Sequence, residues 1–323
     1  MSYAHHSGLA DQWDSQAPLS WDIPCPHTGQ RFLDSLPRLS QVMANNRSYS
    51  DFDIFKATLN APDFLTTLEA RHYLTIAFSH YSIAQIQQFE QNLDWNWYRW
   101  IKAHSGNIAG ALSLNYDLLL ETVLRKVRKE SYSFQVNHHG YGIPLVKPHG
   151  SVDFEIVPNS ISYSPTYPLT NYVDLNDTGI IKLEQHELLS ARRQALCIVP
   201  NEANKYINYQ WVRPANQALN TALKSCTHCI FIGISYWDCD QPEIDNIIGA
   251  LPRSAQIVVA NPNPPQEMLN KIGNRPLLIW NSYSGPVDEK NKLLMLKTSN
   301  GESLAQCMCR SGLSYTHCHG VGL

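Results

Sequence analysis

Four short stretches gather the residue types that could do chemistry on a nucleotide. "SLNYDLLLE" places Asn115 and Asp117 two positions apart just past an apolar run, and "VKPHGSVDF" places His149 and Ser151 either side of a glycine after another. "FIGISYWDCD" carries Gly233, Ser235, Asp238 and Asp240, and "VVANPNP" carries Asn261 and Asn263. Histidine is the side chain that gives and takes a proton near neutral pH. A glycine at a strand end lets backbone approach a phosphate or ribose, and short polar side chains there bond ribose hydroxyls. The set points to a nucleotide crevice with His149 as its candidate base. Each residue also has an ordinary reading. His149 can be a turn residue between proline and glycine, Asn115 and Asp117 can cap a helix, and Asp238 and Asp240 can face the macrodipole of the helix they precede. Capping and catalysis are compatible.

The elements that must position these residues follow from periodicity. Short apolar runs at 108 to 114, 143 to 147, 195 to 200, 229 to 235, 256 to 262 and 276 to 280, rich in β-branched residues and bounded by Pro, Gly or Asn, predict buried strands. Helical spacing predicts helices over 117 to 130, 182 to 194, 211 to 224, 241 to 251 and 265 to 272. Alternating strands and helices imply an α/β fold, a Rossmann-like open parallel sheet with helices on both faces. In such sheets the ligand crevice lies beyond the carboxyl ends of the strands, where all four polar clusters fall. Residues 153 to 167 alternate and carry turn residues, so they predict a hairpin or irregular excursion.

The chain divides by pattern into three parts. Residues 1 to 107 are mostly helical, an elaboration packed on or inserted in the same domain. Residues 108 to 282 form the nucleotide-binding core, and 283 to 323 a C-terminal tail. The tryptophans and tyrosines of 94 to 99 suit core or oligomer contacts better than a base-stacking platform.

With 323 residues, 43 % hydrophobic and 16 % charged, the chain can bury a sizeable core. Its net charge of -3 and the lack of a basic stripe exclude direct nucleic-acid binding from the expectations. No secretory leader pattern and no membrane-length apolar run predict a cytoplasmic protein without membrane partners. Its eight cysteines read as reduced thiols. Cys226 and Cys229 form a single CxxC expected to pack as thiols, His138 and His139 read as exposed loop histidines, and the tail holds Cys307, Cys309, His317, Cys318 and His319 at no metal-site spacing.

Taken in order, "LNYDLLLE", "KPHGS", "IVP", "FIGISYWDCD" and "VVANPNP" resemble the bacterial sirtuin-like (silent information regulator 2-like) domains, in particular those that hydrolyse NAD in anti-phage defence. The likeness covers roughly residues 108 to 280. It implies an NAD hydrolase releasing nicotinamide and ADP-ribose, with NAD as substrate, no metal, and action as a homo-oligomer or with a partner protein of a defence system. By the same resemblance Asn115 holds the ribose and the attacking water, Asp117 lies near the nicotinamide, and His149 is the general base. Gly233 and Ser235 then contact phosphate and ribose, and Asn261 the ribose or adenine side. That chemistry is coherent. Nicotinamide leaves as a neutral molecule, so cleavage needs an oriented ribose, a water and a base that titrates near neutrality, with little acid assistance.

Two departures from the family pattern carry expectations of their own. No G-A-G-x-S turn precedes Asn115. "WDIPCP" echoes the family's G-I-P segment at Ile23 and Pro24, with the glycine loop altered, lost or upstream of Met1. The alternative reading is a noncatalytic sensor of NAD or ADP-ribose, or an assembly subunit. A transferase moving ADP-ribose onto protein or nucleic acid is a third. The zinc ribbon of deacetylating sirtuins has no second CxxC here, and none is expected.

Overall fold

The computed structural model describes residues 21–134, 142–157, 179–202 and 212–297. The expectations on residues 158 to 167, on Trp211, on His138 and His139 and on the cysteines and histidines of the tail lie outside them. The described residues form a mixed α/β structure with eight α-helices.

The helical part runs α1 (Pro37–Asn45), α2 (Asp51–Thr58), α3 (Phe64–Gln91) and α4 (Asn96–His104). Helix α3 starts where the Asp63 carboxylate accepts the Leu65 N–H at 2.9 Å, and its residues 66 to 79 are buried on every face. Proline at the start of α1 needs no amide partner, and the next two N–H groups, of Arg38 and Leu39, are taken by the Glu69 carboxylate of α3 at 2.8 and 2.9 Å. The aromatic run expected in the core is there, since Trp95, Trp97 and Tyr98 are buried.

Beyond it the chain forms β1 (Ala111–Leu112), α5 (Leu119–Lys126), β2 (Ser131–Tyr132) and β3 (Ile143–Val146), then β4 (Phe154–Ile156) and β5 (Ile180–Lys182). It continues through α6 (Arg213–Ser225), β6 (His228–Ile232), α7 (Gln241–Ala250), β7 (Gln256–Ala260), α8 (Gln266–Ile272) and β8 (Leu277–Trp280). The strands pair as a parallel sheet of order β1-β3-β2, a second parallel sheet of order β6-β7-β8, and an antiparallel pair β4-β5. Val146 of β3 packs in one hydrophobic core with Ile257 and Val259 of β7, under α6, α7 and α8. The excursion after 153 is thus an antiparallel arm, β4, whose partner β5 lies some twenty-five residues on.

Four elements differ from the expectation. Residues 182 to 194 do not form a helix. Lys182 is drawn into β5, a capping box between Glu184 and Glu187 begins one 3-10 turn (Gln185–Glu187), and the chain then extends. The buried Arg192 guanidinium donates to the carbonyls of Val152 and Leu188, at 2.9 and 2.6 Å, while the Glu155 carboxylate accepts the N–H groups of Arg193 and Gln194. Those side chains take backbone groups that a helix would have used. Residues 195 to 199 are buried but join no ladder, and Pro200 begins a turn. The Ile198 N–H goes to the His149 carbonyl at 3.0 Å and the Val199 N–H to the Glu202 carboxylate at 3.0 Å. A sheet strand there is therefore replaced by bonds to a turn and a side chain. Strand β2 is an addition the periodicity does not announce. Helix α5 is also shorter than 117 to 130, because Arg128 takes a left-handed conformation, φ 60°, and ends it.

The helical part is not separate. Phe78, Tyr81 and Ile86 of α3 share a core with Leu118, Val152, Cys197 and Val199, and the Arg71 guanidinium of α3 pairs with the Glu202 carboxylate in near-complete burial. Residues 283 to 297 also pack back, the Leu294 carbonyl accepting the Trp100 indole N–H at 2.7 Å. No described helix is long and apolar enough to cross a membrane.

Candidate functional site

The register of β1 against β3 pairs Leu112 with Val146. Asn115 and His149 each follow three residues after these partners, so both stand at the same level beyond the carboxyl ends of adjacent parallel strands. The two loops are tied together, with the Val152 N–H donating to the Tyr116 carbonyl at 3.1 Å. Asn115 is exposed, its own N–H held by the Ser113 hydroxyl at 3.3 Å. Asp117 is buried, and its carboxylate accepts the Leu119 N–H at 3.0 Å, which makes it the cap of α5. His149 is buried to within 8 % of its surface and is followed by Gly150 at φ 86°, a conformation in which a side-chain-bearing residue is strained.

Beneath these loops lies a group the sequence reading passed over. The Lys147 ammonium is fully buried and donates to the Asp117 carbonyl at 2.6 Å, the Tyr116 carbonyl at 3.3 Å, the Ser151 hydroxyl at 2.9 Å and the Glu121 carboxylate at 2.9 Å. Burial alone would push Lys147 down, but the carboxylates of Glu121 and Asp153 and then Asp117 outweigh it and hold the ammonium above its ordinary value. Ser151 in turn donates to the Asp153 carboxylate at 2.5 Å. One cation thus fixes the backbone of the Asn115 loop to the loop of His149. The signal was a lysine ending an otherwise apolar strand, with a glutamate one helical turn past Asp117.

Gly233, Ser235 and Asn261 form a second cluster. Ile232 pairs with Ala260 in the ladder, so Gly233 and Asn261 are the next residues on neighbouring strands. Gly233 has φ 64° and its N–H donates to the Ala260 carbonyl at 3.0 Å. The Asn261 amide donates to the Ile234 carbonyl at 2.8 Å and accepts the Asn263 N–H at 2.8 Å, so it braces two strand-end loops. Ser235 is exposed.

The clusters are linked by the chain that follows Ser235. Residues 236 to 240 lead into α7, and the Asp240 Oδ1 stands 3.8 Å from the His149 Nδ1, both side chains largely covered. The same oxygen accepts the Cys239 thiol at 3.4 Å. Asp238 is exposed. Tyr116 is half-buried with its hydroxyl on the Ile198 carbonyl. Burial first, and then the neighbouring Cys197, Cys239, Glu202 and Asp240, raise its pKa well above the ordinary phenol value, so it is a neutral donor. At the outer edge the exposed Trp237 ring packs on Phe52 of α2, centroids 5.4 Å apart. Helix α2 therefore reaches the same loop.

The arrangement offers a histidine with a carboxylate at 3.8 Å and an exposed asparagine at the same level on the neighbouring strand end. Cys226 and Cys229 pack against the α6 to α8 core, and burial pushes the Cys229 thiol up to about 12. Among the described residues no cluster of His, Cys, Asp and Glu could hold a metal ion. No family model and no curated protein matches the chain.

Proposed function

We propose that the protein is an NAD hydrolase of the sirtuin-like class, with a Rossmann-like parallel sheet whose two described halves adjoin. The observation that carries this reading is the shared level of Asn115 and His149 beyond paired strands β1 and β3, with Asp240 facing the imidazole. In this reading Asn115 orients the ribose and the attacking water, and His149 accepts the proton. The N-glycosidic bond to nicotinamide breaks as the water oxygen bonds to the ribose carbon, giving nicotinamide and ADP-ribose. Gly233, Ser235 and Asn261 would receive the ribose and phosphate side, and Asp117 the nicotinamide side. The resemblance adds a setting, which is a cytoplasmic oligomer or partnered subunit in anti-phage defence.

The test is release of nicotinamide from NAD, followed by chromatography, for the wild-type chain and for His149→Ala and Asn115→Ala. Turnover in the wild type, cut by roughly 100-fold or more in each variant, is the expected result, since a positioned general base contributes on that order. Release at equal rates from wild type and both variants, or none from the wild type with candidate activators present, removes the enzymatic reading.

A second reading has an observation of its own. The segment at Ile23 and Pro24 folds as a tight bridged turn, the Cys25 N–H donating to the Gln30 carbonyl at 2.6 Å, and packs on the helical core without joining β1. Backbone amides for the pyrophosphate are then not supplied by it, which favours a module that binds NAD or ADP-ribose without turnover. Calorimetry showing binding with no nicotinamide released selects that module.

A further inference from the structure

We infer that residues 293 to 297 are a strap latched by His104, and that protonating the His104 Nε2 releases it from the sheet face formed by β7 and β8. The strap lies away from His149 and Asn115. Its Leu294 and Leu296 pack in one hydrophobic cluster with Trp100 of α4, Val258 of β7 and Trp280 of β8. Polar bonds hold it there. The Trp100 indole N–H donates to the Leu294 carbonyl at 2.7 Å, the Leu294 N–H to the Pro286 carbonyl at 2.8 Å, and the Leu296 N–H to the His104 Nε2 at 3.4 Å. The Trp280 carbonyl accepts the Asn261 N–H at 3.0 Å, so the face under the strap backs onto the second strand-end cluster.

Both ring nitrogens of His104 are committed, and their partners allow one protonation state. Nδ1 stands 2.9 Å from the Trp100 carbonyl, which can only accept, so Nδ1 carries the proton. The Leu296 N–H can only donate, so Nε2 offers its lone pair. The ring stacks on Trp100, centroids 4.1 Å apart, and the residue is 2 % exposed, so water offers neither nitrogen another partner. A second proton on Nε2 turns the acceptor into a donor. Two N–H groups then meet head to head, and a cation is buried beside an apolar cluster. Moving Leu296 away relieves both, because the imidazolium then reaches water.

The surroundings oppose that cation. Burial lowers the His104 pKa below its ordinary 6.5, the Trp100 carbonyl pulls it up, and the His228 imidazole of β6 lowers it further. Lys297 on the strap is exposed, and Lys102 on α4 is exposed over the Tyr98 ring. Helix α5 meets the cluster through Leu119 and Val123, while its Glu121 is taken by Lys147. Glu90, Arg125 and Asp288, on other elements that meet the cluster, are exposed. A histidine whose folded value is depressed contributes stability that is present above its ordinary value and is lost as pH falls through the folded one. Opening of the strap should therefore rise by up to about tenfold per pH unit below about 6.5, until the folded midpoint is passed.

The experiment follows amide hydrogen exchange by NMR in the full chain from neutral pH to about 5, corrected for intrinsic exchange, with the His104 ring nitrogens titrated on the same samples. It compares wild type, His104→Gln, whose amide oxygen accepts the Leu296 N–H without titrating, and Trp100→Phe, which keeps the packing but removes the bond to Leu294. The expected wild type has a neutral His104 protonated on Nδ1 and a midpoint below 6.5. Its Leu296 amide loses protection as His104 titrates, while the Ile257 amide of β7, held by the Pro276 carbonyl at 2.8 Å, keeps its own. The Leu296 protection becomes independent of pH in His104→Gln. In Trp100→Phe it is lower at every pH with the slope retained, and this variant supplies the comparison if His104→Gln fails to fold. Leu296 protection that stays flat while His104 titrates, or that keeps its slope in His104→Gln, overturns the inference. So does an Nε2-protonated neutral ring, a His104 that stays neutral throughout, or loss of Ile257 protection in step with Leu296, which marks unfolding of the whole domain. None of these outcomes depends on nicotinamide release, so the hydrolase proposal stands or falls separately.

Discussion

Replacing Lys147 by methionine is the most demanding test of how the crevice is held. Methionine matches the lysine stem in length but carries no charge, so the Glu121 carboxylate, 6 % exposed, is left buried without its cation. Breaking a buried pair in this way costs about 3–5 kcal/mol. The carbonyls of Asp117 and Tyr116 and the Ser151 hydroxyl lose a donor as well, which places the expectation at the upper end. With an unfolding entropy of roughly 2.1 cal/mol/K per residue over 323 residues, each kcal/mol moves Tm by about 1.5 °C, so the melt should fall by about 5–7 °C. Urea unfolding at pH 7 reads the free energy directly. The double variant Lys147→Met, Glu121→Leu removes both charges and should recover more than half of the loss, because the penalty is chiefly the orphaned carboxylate. The pH dependence has a definite sign. A lysine whose folded value is raised above 10.5 contributes stability that is complete below 10.5 and is lost as pH rises through the folded value. The gap between wild type and Lys147→Met should therefore hold steady from neutral pH to about 10 and narrow above it. A Lys147→Met protein within about 1 kcal/mol of wild type at pH 7 would refute the account of this cation as the tie between the two loops.

Two further outcomes can be checked with the same melts. His72 of α3 is fully buried, and burial first, then the nearby Arg192 and Arg71, push it down to about 3. Its folded value is depressed, so its contribution is present above about 6.5 and is lost as pH falls toward 3, at up to about 1.4 kcal/mol per pH unit; stability should fall less steeply between pH 6 and 4 in His72→Phe than in wild type. Gly150→Ala puts a side chain where φ is 86°, and should cost about 1–2 kcal/mol by urea unfolding and move the His149 ring signals.

The strands β1, β3, β6, β7 and β8 were legible because their apolar runs end in Pro, Gly or Asn, and the ends of β1, β3, β6 and β7 delivered Asn115, His149, Gly233 and Asn261 as strand-end residues. Residues 182 to 194 were misread for a physical reason. Their Glu, Gln, Leu, Ala and Arg are good helix formers, but Arg192 and Glu155 compete for the backbone groups, and such competition depends on partners distant in sequence. The run 195 to 200 has a strand's composition and a strand's burial, yet its bonding partners are the His149 turn and Glu202. The same limit hid the most informative contacts of the site. Asp240 could be read locally as a helix-start acid, and only the fold brings it to His149. Lys147 could be read as the polar end of a strand, whereas its four oxygen partners come from three segments.

The core that α3 shares with Leu118, Val152, Cys197 and Val199 has a consequence for how the protein behaves as a unit. A cut at residue 107 would leave each fragment with half of an apolar contact surface facing water. The boundary between the helical and the strand-rich parts is thus one of sequence pattern, not of cooperativity. Phe78 packs edge-on to Tyr116, whose hydroxyl holds Ile198 and whose carbonyl receives Lys147. Helix α3 therefore braces the crevice from several points at once, through Tyr116, through the Ser82 hydroxyl that accepts the Leu118 N–H, and through the Arg71–Glu202 pair.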